Sequence, residues 1–487
     1  MKEVKTMAYN PFLPIDTYIA DGEPHVFDDR VYLFGSHDKE AGDTFCMLSY
    51  EFFSAPVNDL GNWTSKGINY EARQDPLYSE EMRYMYAPDC VKGNDGRYYL
   101  YYCLSGYKGR GGYKNPISVA VCDTPDGKYE YYGYVRKKDG SPYLDTLCFD
   151  PAVINDDGII RLYFGSDYPW FDSFVKPLRK WAIAKVVGRP TKKVPDEYTG
   201  SYHVELSEDM LTIKDKPKRI DHEIKGEEYK KHQFFEGSSI RKIDDTYYFI
   251  YSSTNNHELC YATSKYPDRE FTYGGTIVSN GDIGYKGRKP KDRLNRTGTN
   301  HGSIEKINDQ YYVFYHRLTH NSDYSRQACA EKIEILPDGS IPQVEITSYG
   351  LSDGYLKEGI YPSVICCNLT NGKMKHGSNK KETKEYPCIG SKDDERFVKD
   401  ISDNTSIVYK YFELDGSYYL KLLFKGDEGK ITVYLNDTLS SDVKLHPHED
   451  WFEYITTLKA QEGVYALKLK YTGKGKASFK QFELKKF

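Results

Sequence analysis

The sequence predicts an all-β protein of two domains, a five-bladed β-propeller over residues 1–345 and a jelly-roll-like β-sandwich over residues 356–487. Three observations predict it. A strand–turn–strand unit with an aromatic second strand occurs five times in the first part of the chain. At 487 residues the chain is longer than one hydrophobic core usually fills. Beyond about residue 356 the unit stops, and SIVYKYFELDGSYYLKLLFKG, GKITVYLN, WFEYITTL, GVYALKLKY and SFKQFELKKF read as alternating strands between turns.

The five copies are DGEPHVFDDRVYLFGS from Asp21, APDCVKGNDGRYYLYY from Ala87, DPAVINDDGIIRLYFGS from Asp150, EGSSIRKIDDTYYFIYSS from Glu236 and HGSIEKINDQYYVFYHR from His301. Each is a small antiparallel sheet, too narrow to bury its own faces, and closing such units into a ring makes a propeller. A β-sandwich whose hairpins merely share D-D, N-D and D-G turn chemistry is the alternative. Register argues for the ring. In four copies the residue about ten positions before the aromatic pair is Asp21, Asp150, Glu236 or His301. Equivalent positions on related blades point at one axis, where polar side chains would converge into a site.

Composition narrows the function classes. Tyrosine is frequent, with 47 residues, and aromatics reach 15 %, which suits pleated strands and also the flat apolar faces of sugar rings. Net charge is −5 with Lys and Arg dispersed, so no basic field for nucleic acid exists. No apolar run is long enough to cross a bilayer, which excludes a membrane partner of that kind. The leading MKEVKTMAYNPFLP has neither an apolar stretch nor a small-residue cleavage site, and the expectation is a cytoplasmic protein. Ten cysteines, Cys90, Cys103, Cys148, Cys260, Cys366 and Cys367 among them, sit mostly inside apolar strand patterns and are expected to be buried free thiols. No C-x-x-C or H-x-x-x-H spacing suggests zinc.

In chain order, residues 1–20 lead into the first copy and are placed to close the ring against the last blade. Asp21 could be a hairpin corner, since Asp-Gly favours one, but its shared register makes it a site candidate. RQDPLYSEEMRYMYAPD would lie over one end of the ring, with Tyr84 and Tyr86 either stacking on a sugar or packed in the core. Asp150 precedes a proline, where extended backbone is favoured, and an acid opening an apolar strand is costly to bury without a use. SDYPWFDSFVKPLRKW makes Trp170 a wall or lid. Glu236 stands between Phe235 and Gly237; an acid beside an aromatic in a partly dry pocket has its pKa raised, as a general acid at neutral pH requires. His301 reads either as a metal ligand or as a satisfied polar core residue, and His316 and Arg317 end the last aromatic strand.

Together YIADGEPHVF, MYAPD, CFDPAVI, FFEGSSI and NHGSI with FYHR resemble glycoside hydrolase family 43 over roughly residues 8–345. The family comprises five-bladed propellers that remove arabinofuranose and xylose from plant polysaccharides. The resemblance implies inversion at the anomeric carbon, with Asp21 as general base on water, Glu236 as general acid and Asp150 as the acid that orients Glu236 and tunes its pKa. Inversion needs the two carboxyls roughly 6.5–9.5 Å apart, and a charged Asp150 beside Glu236 would help keep it protonated. It also implies that His301 helps hold a calcium or sodium ion, or its water shell, in the central channel, with no cofactor required for the chemistry. Arg317 matches an arginine near the sugar hydroxyls. Tyr86 stands where family members commonly carry tryptophan, and with Phe149, Trp170, Phe235 and Arg317 it completes the candidate sugar-contacting set. The expected activity is exo release of terminal α-L-arabinofuranose or β-D-xylose from short oligosaccharides. Alternatives are a galactosidase of the same fold, a related five-bladed group that cleaves fructosides through a covalent intermediate, and a non-catalytic glycan-binding propeller.

PDGSIPQVEITSYGLSDG reads as a connector and NGKMKHGSNKKETKEY as a solvated loop. The strands beyond resemble carbohydrate-binding module family 6, although ASFKQFEL lacks the asparagine that sugar-binding members carry near there. Glycan binder and structural buttress therefore both stand, with Trp451 either a platform or core.

Overall fold

The computed structural model describes residues 8–107, 115–167, 176–187, 190–195, 197–377 and 385–487. Five antiparallel sheets follow one another along the first part of the chain, four of them four-stranded and the fifth three-stranded. Their innermost strands are Ile19–Phe27, Tyr84–Lys92, Ala152–Asp156, Phe234–Ile243 and Ser303–Ile307, each opening one of the repeated units. A five-bladed propeller results. In four copies the inner hairpin turns on two residues, the first of which has positive φ: Asp28, Asp157, Asp244 and Asn308. Asp and Asn tolerate that region better than other side-chain-bearing residues do, so the turn chemistry sets where each hairpin folds.

Alternation along the second strands builds the blade interfaces. On Thr246–Ser253, Tyr248 and Ile250 pack with Val313, Tyr315 and Cys329 of the fifth blade, while Tyr247, Phe249 and Tyr251 pack with Ala152 and Tyr163 of the third. A strand buried on both faces needs apolar residues at every position, which explains the unbroken aromatic runs. The tyrosines are mainly blade-interface residues rather than sugar platforms. Their hydroxyls reach rim acceptors, as in Tyr102 to Asp75 Oδ2 at 2.6 Å and Tyr101 to the Met210 carbonyl at 2.7 Å. A buried Tyr keeps its hydroxyl satisfied in this way.

Closure of the ring uses the leading segment, as its position suggested. Phe12 N–H donates to Ala328 O at 3.3 Å, and the Asn10 side chain brackets Ala330, donating to its carbonyl at 2.8 Å and accepting from its N–H at 2.9 Å. Gly22 bridges Gly302 directly, joining the first and last inner strands.

The second domain is a continuous sheet of nine strands between Gly359 and Lys486. Two long strands, Ser406–Gly426 and His448–Thr472, run through it, with bulges at Tyr409–Phe412 and Leu414–Gly416 where the pairing shifts. Such bends let one strand serve two packed layers around one core. Trp451 is half-buried; its indole donates to Glu395 and Lys425 Nζ covers its ring at 4.3 Å, so it presents no open platform. Against the propeller, Lys410 Nζ bonds Asp282 at 3.2 Å and Glu345 at 3.0 Å. The ten cysteines are thiols, and only Cys122 is more than slightly exposed, as the strand patterns predicted. Among the described residues no helix is long and apolar enough to cross a membrane.

Candidate active site

The acids that share a register do meet. Asp21, Asp150, Glu236 and His301 line one pocket of about 120 Å³ at the start of the inner strands, together with Phe45, Tyr86, Phe149, Thr299, Asn300 and Arg326. Local backbone aims them there. Asp21 and Asp150 have positive φ, 54° and 45°, the former in a register break between Ala20 and Glu23. In the Glu236 copy Gly237 takes that role, with φ 70°, and a Cβ there would lie 3.1 Å from the His301 ring. Only glycine lets that ring pack so close.

Each carboxyl has a different environment. Arg326 Nη1 donates to both Asp21 oxygens, at 2.7 and 2.8 Å, while Nε and Nη2 bind Asp38 at 2.8 and 3.0 Å. His316 lies behind, its Nδ1 accepting the Asp21 backbone N–H at 3.2 Å. Burial alone would push the Asp21 carboxyl up, but Arg326, then His316 and His301, outweigh it and hold it at about 2. Glu236 has no such partner. Burial, and then the charge of Asp21, push it up to about 8. Asp150 accepts the Gly237 N–H at 2.9 Å, yet burial, then Glu236 and Asp21, drive it well above the usual carboxylate range. The charge of Asp21 raises Glu236, while Glu236 in turn disfavours ionisation of Asp150. The pocket therefore sets one acid held ionised, Asp21, beside two that burial pushes toward the protonated form, Glu236 and Asp150.

The aromatic candidates divide. Tyr86 and Phe149 line the pocket with their rings 5.9 Å apart. Phe235 is not among the residues lining it and is buried in the core cluster between the second and third blades, as is Tyr84. Trp170 lies outside the described residues. Arg317 is a correction. It is buried beneath the fifth blade, donating to the carbonyls of Cys366 and Cys367 at 3.1 and 3.0 Å and to Cys329 Sγ, and so ties the propeller to the second domain. The arginine at the acids is Arg326. Its only mark in the sequence is a cation heading the strand Arg326–Ile333, which also carries Gln327, Glu331 and Lys332, so the position did not stand out. Phe45, whose ring lies under the Arg326 guanidinium at 4.7 Å, comes from a loop with no such pattern. Arg317→Met is expected to lower stability by roughly 1–3 kcal/mol, the cost of an unsatisfied buried acceptor, with KM unchanged. Denaturant unfolding beside steady-state kinetics checks it, and a raised KM at unchanged stability would return Arg317 to the sugar.

His301 Nε2 and Glu23 Oε1 lie 4.0 Å apart, both buried and, among the described residues, without a hydrogen-bond partner. Two orphaned polar atoms beside one another suit a cation or its water shell when the carboxyl is ionised and the imidazole nitrogen bare. One imidazole and one carboxylate oxygen fall short of the six to eight oxygens calcium takes, so waters would complete the set. The other Glu23 oxygen accepts from Ser239 and Arg241, both at 3.1 Å.

The family model for glycosyl hydrolases family 43 matches residues 10–341. A xylosidase/arabinosidase of Thermoclostridium stercorarium is 40 % identical over 99 % of both chains. A xylosidase/arabinosidase of Bacteroides ovatus is 29 % identical, over 61 % of this chain and 86 % of its own. Among solved structures, a family 43 enzyme of Xanthomonas citri complexed with xylose superposes with a TM-score of 0.53 at 26 % identity, covering 71 % of this chain and 95 % of its own. A β-xylosidase/α-arabinofuranosidase from a compost metagenome, solved with xylotriose in a calcium-free form, gives 0.52 at 27 % identity over 70 % and 97 %. The matched span covers all five blades and every acid of the pocket, and the chain belongs to glycosyl hydrolases family 43.

Proposed function

We propose that this glycoside hydrolase releases terminal β-D-xylose and α-L-arabinofuranose from arabinoxylan- or arabinan-type oligosaccharides with inversion. The observation that carries the reading is the split protonation across one pocket: Asp21 held at about 2 and Glu236 raised to about 8. Asp21 takes a proton from the attacking water as Glu236 gives one to the departing glycosidic oxygen, in a single displacement. Asp150 acts through the backbone, its bond to Gly237 N–H holding the residue next to Glu236. Tyr86 and Phe149 supply the apolar wall for the ring. An ion held by His301 and Glu23 would fix the imidazole below Asp21 and add positive potential there; the proton transfers belong to the two acids. The xylosidase/arabinosidase names of relatives support the two sugars, and a pocket of this size supports exo action on a chain end.

Hydrolysis of aryl β-D-xyloside and aryl α-L-arabinofuranoside, with Asp21→Ala as control, tests the reading; proton NMR of the first-formed sugar reads its configuration. No release of either by folded protein would turn the assignment toward another sugar, such as galactose, or toward a glycan-binding propeller. The pH profile adds a second check. Glu236 must be protonated and Asp21 ionised, so kcat/KM is expected to fall as pH rises through about 8, with the limb set by Asp21 far to the acid side, near 2. A profile flat to pH 10 on an unactivated substrate would remove Glu236 from the acid role.

A further inference from the structure

One wall of the pocket is held from the second domain. Phe45 lies on the loop between the strand Arg30–His37 and Tyr50, and its ring contacts Arg326 at 4.7 Å and Tyr324 at 4.8 Å. The inner end of this loop is anchored within the propeller: Cys46 N–H donates to Asp38 Oδ1 at 2.9 Å, and Asp38 is bound by Arg326. The outer end is anchored from both domains: Ala41 N–H donates to Ser325 Oγ of the propeller at 2.9 Å, and Glu40 reaches further. Glu40 accepts from His320 Nε2 at 3.2 Å and from Arg396 Nη2 at 2.7 Å. Arg396 belongs to a hairpin of the second domain, Cys388–Lys392 paired with Glu395–Ile401, and Ile389 N–H of the same hairpin donates to Thr319 O at 3.0 Å. Both charges are largely covered, with side chains 13 % and 19 % exposed. The hairpin thus grips the loop on one side of Phe45 while Arg326 grips it on the other.

We propose that the second domain completes the sugar pocket, with Arg396 as a positioning residue that, through Glu40, holds Phe45 against the terminal sugar. Water competes poorly for a pair this covered, so the contact is more than a surface ion pair worth little. A ring free to swing away would enlarge the pocket and loosen the sugar while leaving Asp21, Arg326 and Glu236 where they are. The domain then serves substrate fit in the propeller, whether or not it also binds glycan. This inference rests on the sugar-cleaving reading of the pocket.

Arg396→Ala is expected to raise KM for the aryl glycosides about tenfold with kcat changed far less, since misplacement of a positioning wall by about 1 Å costs up to 10²-fold. Arg396→Lys should recover much of the loss. In a Phe45→Ala background Arg396→Ala should add little, because both act on one wall. A KM unchanged in Arg396→Ala, or an equal effect of Arg396→Ala with and without Phe45, would overturn the proposal. Hydrogen exchange gives a readout independent of activity: residues 38–47 should lose protection in Arg396→Ala. Unchanged protection there would overturn the clamp even if the wild type proved inactive on both glycosides, an outcome that would separately sink the sugar reading.

Discussion

Glu236→Gln is expected to lower kcat/KM on an unactivated xylo- or arabino-oligosaccharide by roughly 10²–10⁴-fold, the range a positioned general acid contributes. On an aryl glycoside with a good leaving group the loss should be far smaller, because a phenolate needs little protonation. The alkaline limb near pH 8 should disappear with the carboxyl that sets it. Glutamine keeps the shape of the side chain and adds no charge, and among the described residues the Glu236 carboxyl has no hydrogen-bond partner that the change would remove. Folding is therefore expected to be unaffected, and thermal unfolding checks this. Equal loss on both substrate types would mean that Glu236 binds or orients the sugar and does not donate a proton.

Arg326→Met is expected to have the broadest effect of any single change at the site. One guanidinium binds Asp21 and Asp38 at once and sits over Phe45. Without it two buried carboxylates lose their counter-charge, and breaking a buried pair from one side costs about 3–5 kcal/mol. The sign with pH follows from Asp21. Its depressed pKa contributes stability in the wild type above the unfolded value, and this is lost only as pH falls toward about 2. In the variant burial acts unopposed, the carboxyl pKa rises, and the penalty is relieved as acid protonates it. The gap in Tm between wild type and variant should therefore narrow from pH 7 to pH 4. Activity should move with it, the acid limb shifting upward toward neutrality. Arg326→Lys, which keeps charge but cannot reach both acids, should fall between. A folded variant whose acid limb does not move would show that something other than Arg326 keeps Asp21 ionised.

Glu236 and Asp21 were visible in the sequence, whereas Arg326 was not, and the difference is physical. The repeated unit is local: a two-residue Asp or Asn turn, an apolar alternating strand and one polar residue at the strand start are written within about twenty residues, so periodicity alone exposes them. Symmetry then converts a shared register into a shared axis, which is why three acids and a histidine from four blades could be placed in one pocket before any coordinates. Arg317, assigned by resemblance, and Phe235, beside Glu236 in the chain, do not line that pocket. Neighbours in a strand point to opposite faces, and which face looks at the axis depends on bulges such as those around Asp21 and Glu236 that one sequence does not reveal. For the tyrosines, composition told correctly of strands but not whether a ring faces a sugar or the next blade.

By itself, then, the sequence determined the architecture and the acids that line the pocket, because both rest on patterns short in sequence and repeated. Only the tertiary structure decided which acid carries charge. Asp21 meets Arg326 across 305 residues, and Glu40 meets Arg396 across 356. A carboxyl's proton affinity is set by burial and by the charges within a few ångströms, whatever their distance along the chain, and those neighbours are chosen by ring closure and domain packing.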